Sequence, residues 1–191
     1  MPVSYLFLEG ERNMDLTEVL LSSERIYEGR ILNLRRDRVR LPDGNEASRE
    51  VVEHPGAVAI IALDKEKNVY LVRQYRYPIG RITLEIPAGK LDAGEEPVNC
   101  ARRELAEEVG LQAAEWQLLL TFYSTPGFSN EIMYLFMATG LEPHREEADA
   151  DEFLEVVRLP LAAAVAEIFK GTIQDAKSIA GLLAAARTLQ A

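Results

Sequence analysis

Cysteine is nearly absent: Cys100 is the only one in 191 residues. A single thiol excludes an internal disulfide framework and suits a reducing, cytoplasmic setting. Long apolar runs are missing too, and no stretch approaches the roughly 20 residues of a membrane-spanning helix. The opening MPVSYLFLEG lacks the basic and apolar regions of a signal peptide, and residues 1 to 13 read as a frayed extension before Met14. Basic residues are in deficit, with 21 Lys and Arg against 31 Asp and Glu and a net charge of −10. That balance argues against an electrostatic grip on nucleic acid. An acidic chain that handles an anionic substrate needs local help from metal ions and a few placed arginines. No internal repeat or low-complexity tract is present.

Hydrophobic residues are plentiful at 48%, and the length suits one domain with a small appendage. The densest chemistry lies in GKLDAGEEPVNCARRELAEEVGL, residues 89 to 111. Pro97 suits a first helical turn, and Gly110 a left-handed stop. Between them Val98, Ala101, Leu105 and Val109 recur at helical spacing and form one buried stripe. Beside that stripe Glu104, Glu107 and Glu108 fall within an arc of roughly 100°. Glu104 and Glu108 lie one turn apart, where like charges repel. A hard divalent cation turns that repulsion into coordination, because Mg²⁺ takes carboxylate oxygens and keeps water and phosphate as further ligands. Arg103, one turn before Glu107, is placed to steer it. An ordinary solvated acidic helix face would explain a lone Glu-Glu pair, but not the whole spaced string.

The rest of the chain alternates strands and turns. Residues 15 to 23 read as a short helix or turn. SERIYEG, ILNLRRDRVRL and EASREVVEH read as three strands, with a tight turn at Pro42–Asn45. His54-Pro55-Gly56 marks a boundary. AVAIIAL is a fully buried strand, paired through the turn 64–68 with VYLVRQYRY, and ITLEIPAG leads into the acidic helix. EWQLLLTFYS, EIMYLFMATGL and FLEVVRLP are further strands, with Trp116 and Tyr123 read as core or interface aromatics. The segments 161–170 and 175–189 are helices that pack on the sheet. Between strands lie the loop TPGFSNE and the acidic run HREEADADE. This order makes an α+β layered fold, in two parts: an N-terminal β segment over residues 1–55 and a main domain over 56–191.

The string Gly89, Glu95, Arg103, Glu104, Leu105, Glu107, Glu108, Gly110, Leu111 resembles the Nudix box, G-x5-E-x7-R-E-U-x-E-E-x-G-U with U aliphatic, and departs from it nowhere. The resemblance implies a Nudix fold: a mixed β-sheet sandwiched between α-helices, with a small N-terminal antiparallel β-meander. It also implies hydrolysis of a pyrophosphate linkage with Mg²⁺ or Mn²⁺, more than one ion per site. Glu104, Glu107 and Glu108 and the Ala88 carbonyl would be the metal ligands.

Around the box VRQYR, EIPAGKLDAGE, TPGFSNE, DEFLEVVRLP and GTIQDAKSIAGL look like the ADP-ribose pyrophosphatases. By that likeness Arg76 contacts phosphate with Arg73 in support, and Glu131 lies near the second phosphate and the metals. Gly127, Phe128 and Ser129 of the same loop help select the substrate. The mobile acidic loop supplies the general base, placed at Glu152 with Glu147 second. The N-terminal segment would swap across a homodimer and enclose the nucleobase with Arg30, Ile31, Arg49 and Glu50. The tryptophan pair that some members use to sandwich adenine is missing here. ADP-ribose is therefore the expected substrate, giving AMP and ribose 5-phosphate, with no nucleic-acid or membrane partner. Another nucleoside diphosphate sugar such as GDP-mannose is the alternative, and a non-catalytic nucleotide-sugar sensor the remote one. A triphosphatase is disfavoured by TPGFSNE.

Overall fold

The structure is a computed structural model and describes residues 15–144, 146 and 153–190. Glu147 and Glu152, the two expected bases, lie outside the described residues. The chain divides after Glu53 into two compact units.

The first unit is an antiparallel meander of β1 (Val19–Glu28), β2 (Asn33–Arg40) and β3 (Glu46–Glu53). The expected helix or turn over 15–23 is corrected here, because Val19 already pairs with Arg40 and Leu20 with Val39. Cross-strand pairing overrides the weak helical signal of DLTEVLL, as it often does for Val and Leu on a pleated surface. Opposite charges pair across the ladder: Arg36 with the directly opposite Glu24 at 2.6 Å, and Arg38 with the diagonal Glu46 at 2.6 Å. Val19, Leu20, Ile26, Tyr27 and Ile31 remain exposed. Three strands alone bury little.

The second unit contains β4 (Ala57–Ala62), β5 (Asn68–Arg76), a 3-10 turn at Tyr77–Ile79, β6 (Arg81–Glu85) and β7 (Ala88–Lys90). Helix α1 (Pro97–Glu104) follows and continues as a π turn over Leu105–Val109. Then come β8 (Leu111–Tyr123), β9 (Ile132–Pro143), β10 (Leu154–Pro160), α2 (Leu161–Phe169) and α3 (Ala176–Thr188). One sheet runs β7-β4-β9-β8 and is mixed, since β4 and β9 are parallel and the other pairs antiparallel. The other, β10-β5-β6, is antiparallel.

β4 is the centre, buried at every position. Its alternation splits the core in two. Ala57, Ala59 and Ile61 pack with Leu161, Ala164, Leu182 and Ala185 of the C-terminal helices. Val58, Ile60 and Ala62 pack with Cys100, Ala101 and Leu105 on the other side. Helices thus cover both faces of the mixed sheet, the expected α+β arrangement. Trp116 joins the second cluster, edge-on to Phe136 with ring centroids 6.3 Å apart. Tyr123 is exposed, so the core placement does not hold for it. Among the described residues no helix is long and apolar enough to cross a membrane.

Two details fix the start of α3 against the sheet. A Cβ on Gly181 would lie 2.9 Å from Ile86 Cδ1, so glycine allows the close approach. Ser178 is fully buried, accepts the Ile86 N–H at 2.9 Å and donates to Asp175 Oδ2 at 2.6 Å. Asp175 in turn caps α3 by accepting the Ser178 N–H at 2.9 Å. The first turn of α3 is therefore tied to the link between β6 and β7.

Candidate active site

The acidic helix and the β7 backbone meet at Gly89. A Cβ there would stand 1.8 Å from Glu104 Cδ, so only glycine leaves room for the carboxylate. Glu108 Oε2 accepts the Ala88 N–H at 3.0 Å. Both side chains are buried, Glu104 being 7% and Glu108 5% exposed. A straight α-helix is the sequence expectation from Pro97 to Gly110. The structure instead widens to a π turn over the residues that carry Glu107 and Glu108, and Gly110 closes it at φ +75°. Such turns insert one residue per turn and re-aim side chains, often at functional sites.

Arg103 organises the carboxylates. Its Nη1 donates to Glu104 Oε1 at 2.7 Å and Glu107 Oε2 at 2.9 Å, while Nε and Nη2 each reach Glu95 at 3.2 Å. The Glu95 bonds are the chief reason the guanidinium holds its proton even more firmly than usual. The same bonds lower the Glu95 carboxyl. Cys100 beneath them is no nucleophile: burial, reinforced by Glu104 and Glu95, pushes its thiol up to about 12.

Four carboxylates against one guanidinium leave an excess of negative charge. Among the described residues no three His, Cys, Asp or Glu side chains stand around a common metal position, since Glu104 and Glu107 each turn an oxygen to Arg103. The donor chemistry nevertheless suits a hard divalent cation: carboxylate oxygens set against a glycine-wide gap beside Ala88.

A second constellation mirrors the first with the signs reversed. Glu85, 2% exposed, receives both forks of Arg76, Nε to Oε1 at 2.9 Å and Nη2 to Oε2 at 2.8 Å. Lys177 Nζ bonds the same carboxylate, and Thr83 Oγ1 donates to it at 2.5 Å. Burial alone would raise the Glu85 carboxyl. The hydrogen bonds of Arg76, the charge and hydrogen bond of Lys177, and Thr83 outweigh it and hold the group at about 2.

A cleft of about 300 Å³ is lined by Arg76, Ala88, Gly89, Ser124, Glu131 and Lys177 among others. Glu104, Glu107 and Glu108 do not line it, and Glu104 and Glu108 lie against the Ala88–Gly89 backbone that does. Glu131 is held by a bond from Ser124 Oγ and by its own N–H on Ser129 Oγ at 3.1 Å. His54 also lines the cleft, with Nδ1 3.6 Å from Glu131 Oε1. That nitrogen also accepts the Gly56 N–H at 3.1 Å.

The expected residues are distributed unevenly. Arg76, Ala88 and Glu131 share the cleft. Arg73 does not: three residues from Arg76 on one strand, it faces the opposite side and pairs with Glu155 at 2.9 Å. Gly127 and Phe128 are exposed, and Ser129 is half-buried beneath Glu131. In the N-terminal unit Arg30, Ile31, Arg49 and Glu50 are all exposed, with Arg49 bonded to Glu18 at 2.9 Å. Sequence reasoning missed Glu85 and Lys177. A signal existed for both, since Glu85 opens EIPAGKLDAGE and Lys177 lies in GTIQDAKSIAGL, but nothing in either stretch says that residues 92 apart meet.

Comparison with known proteins bears on the whole arrangement. Residues 53–182 match the NUDIX domain. The chain belongs to the NUDIX family. Residues 18–52 match the nucleoside diphosphate sugar hydrolase N-terminal domain. An ADP-ribose pyrophosphatase of Mycobacterium tuberculosis is 48% identical over 86% of this chain and 81% of its own length. A methanol dehydrogenase activator of Bacillus methanolicus is 42% identical, and an ADP-ribose pyrophosphatase of Bacillus subtilis 41% identical, each over 85% of this chain and 89% of the relative. A crystal structure of an ADP compounds hydrolase superposes with a TM-score of 0.83, covering 94% of this chain and 97% of that one at 24% identity, which establishes the Nudix fold.

Proposed function

We propose that this Nudix protein hydrolyses the pyrophosphate bond of ADP-ribose to AMP and ribose 5-phosphate with Mg²⁺. The observation that carries the reading is one cleft bordered by the Ala88–Gly89 backbone, against which Glu104 and Glu108 lie, and by Arg76. The two ADP-ribose pyrophosphatases at 48% and 41% identity favour this substrate. Glu104, Glu107, Glu108 and the Ala88 carbonyl would hold the cations. When bound, a divalent ion supplies charge neutralisation at the phosphates and Lewis acidity toward the attacking water.

The chain's own residues do the rest. Arg103 holds and aims the Glu104 and Glu107 carboxylates. Arg76, oriented by Glu85, offers its remaining N–H groups to a phosphate. Glu131 lines the same cleft, and its role is taken to be near the second phosphate and the metals. In the reaction, water oxygen bonds to one phosphorus while the bridging P–O bond breaks, and the bridging oxygen leaves with the other phosphate. Glu152, with Glu147 as the second choice, takes the water's proton. Gly127, Phe128 and Ser129 shape one end of the site. The N-terminal unit of a second copy encloses the base with Arg30, Ile31, Arg49 and Glu50, making the enzyme a homodimer. A cytoplasmic setting accords with the one buried thiol.

A panel of sugar nucleotides and nucleoside triphosphates with Mg²⁺, read by product identity, tests the reading. AMP and ribose 5-phosphate from ADP-ribose at the highest kcat/KM are expected. Preference for GDP-mannose would move the assignment within the same chemistry, and no turnover of any nucleotide sugar would overturn it. Light scattering of the full chain tests the dimer; a monomer at assay concentration removes the shared base pocket.

A further inference from the structure

The Glu85 constellation contains more than a support for Arg76. Lys177 reaches it from α3, from the opposite end of the second unit's sequence. Its side chain is 11% exposed, and it lines the 300 Å³ cleft beside Arg76 and the Ala88–Lys90 strand. Its ammonium has three donors. One meets Glu85 Oε2, and one meets Asp175 Oδ2 at 2.9 Å. The third has no acceptor among the described residues. Arg76 is in the same position: Nε and Nη2 are committed to Glu85, and Nη1 meets no protein acceptor among the described residues.

Two cations therefore share one buried carboxylate and each keeps N–H groups for the cleft. Glu85 and Asp175 cancel their net charge, so the pair offers directed donors and not a diffuse field. Directed, charge-assisted donors are what a diphosphate oxygen requires. The geometry of α3 agrees. Its first turn is pinned by Ser178 on the Ile86 N–H and by the Asp175 cap, which sets Lys177 rigidly at the cleft wall. A lysine that served only to neutralise Glu85 would duplicate Arg76, whose two bonds already do so.

We infer that Lys177 is a second phosphate-binding cation of the site, delivered by the C-terminal helix and aimed, like Arg76, by Glu85. The inference rests on the reading of the cleft as a diphosphate site, but not on which nucleotide sugar is cleaved.

The test is calorimetric binding of ADP and of adenosine to the full-length protein, wild type against Lys177→Met and Lys177→Arg. Lys177→Met is expected to weaken ADP by about tenfold, the scale of one hydrogen bond between charged groups, while adenosine is unchanged. Lys177→Arg should return ADP to within about threefold of wild type, since it keeps the charge and a donor. Equal ADP affinity in Lys177→Met overturns the inference. So does an equal loss for adenosine, which marks a structural lesion. If Lys177→Met does not fold, Lys177→Gln, which retains a donor toward Glu85, is read by the same criteria. Failure of the ADP-ribose reading would appear separately, as wild-type protein that binds ADP but leaves ADP-ribose intact.

Discussion

The two charged constellations that flank the cleft-lining Ala88–Gly89 backbone and Arg76 are built on opposite plans. At the Nudix box one arginine, Arg103, holds three carboxylates, Glu95, Glu104 and Glu107, all within thirteen residues of sequence. At the other end one carboxylate, Glu85, holds two cations drawn from β5 and α3. The first is short of positive charge and suited to receive a cation. The second has spare donors and is suited to receive an anion. A substrate that is a metal-bound diphosphate needs both, side by side.

The difference also explains what could be read in advance. The box is contiguous, so Gly89, Arg103, Glu104, Glu107 and Glu108 are legible together through the likeness of their string to the Nudix box. The strands were legible for a similar reason: β4 is an uninterrupted apolar run, and the C-terminal helices carry period-3.6 leucine and alanine. Lys177 and Glu85 meet only because α3 docks on the β6–β7 link, a tertiary event that no local pattern encodes. The π turn escaped for a subtler reason, since apolar spacing cannot tell 13 helical residues from 8 followed by a wider turn. The VRQYR likeness pairs Arg73 with Arg76, whereas an odd separation on a strand implies opposite faces.

The largest effect is expected at the cation-receiving end. Glu108→Gln keeps the hydrogen-bond acceptor for the Ala88 N–H but removes the charge of a proposed metal ligand, so the fold should persist. Turnover should fall by a hundredfold or more, above the roughly 10–100-fold typical of outer-shell metal lesions. Steady-state kinetics with a thermal melt checks both halves; unchanged kcat would remove Glu108 from the metal set.

Gly89→Ala probes the same end through space instead of charge. The added Cβ must displace the Glu104 carboxylate, because it would lie 1.8 Å from Cδ. Metal affinity should drop by about tenfold or more, measured by Mn²⁺ titration. Wild-type affinity would show that the carboxylate relocates without cost.

Glu85→Gln probes the other end, and its effect is expected in stability and pH dependence. The folded-state carboxyl is held at about 2, below its ordinary 4.5. A depressed carboxyl stabilises above its unfolded pKa and loses that contribution as pH falls through the folded one. The wild type should therefore lose on the order of 3 kcal/mol between pH 5 and pH 2 from this group. Denaturant melts of Glu85→Gln should show a lower stability at pH 7 and a shallower decline toward acid. Parallel curves for the two proteins would assign the acid sensitivity to other carboxylates.

Arg73→Ala is the smallest expected change and the control for the whole comparison. Arg73 shares strand and charge with Arg76 but faces away from the cleft, and its partner Glu155 is two-thirds exposed, at 67%. An exposed pair of this kind contributes less than about 1 kcal/mol. Its removal should leave kcat/KM within about twofold of wild type, whereas Arg76→Ala takes away a forked, half-buried donor and should raise KM by tenfold or more. If Arg73→Ala raised KM as much as Arg76→Ala, the face assignment would not govern recognition. A general positive potential around β5 would then be the better account, and the directed-donor argument for Arg76 and Lys177 would lose its footing.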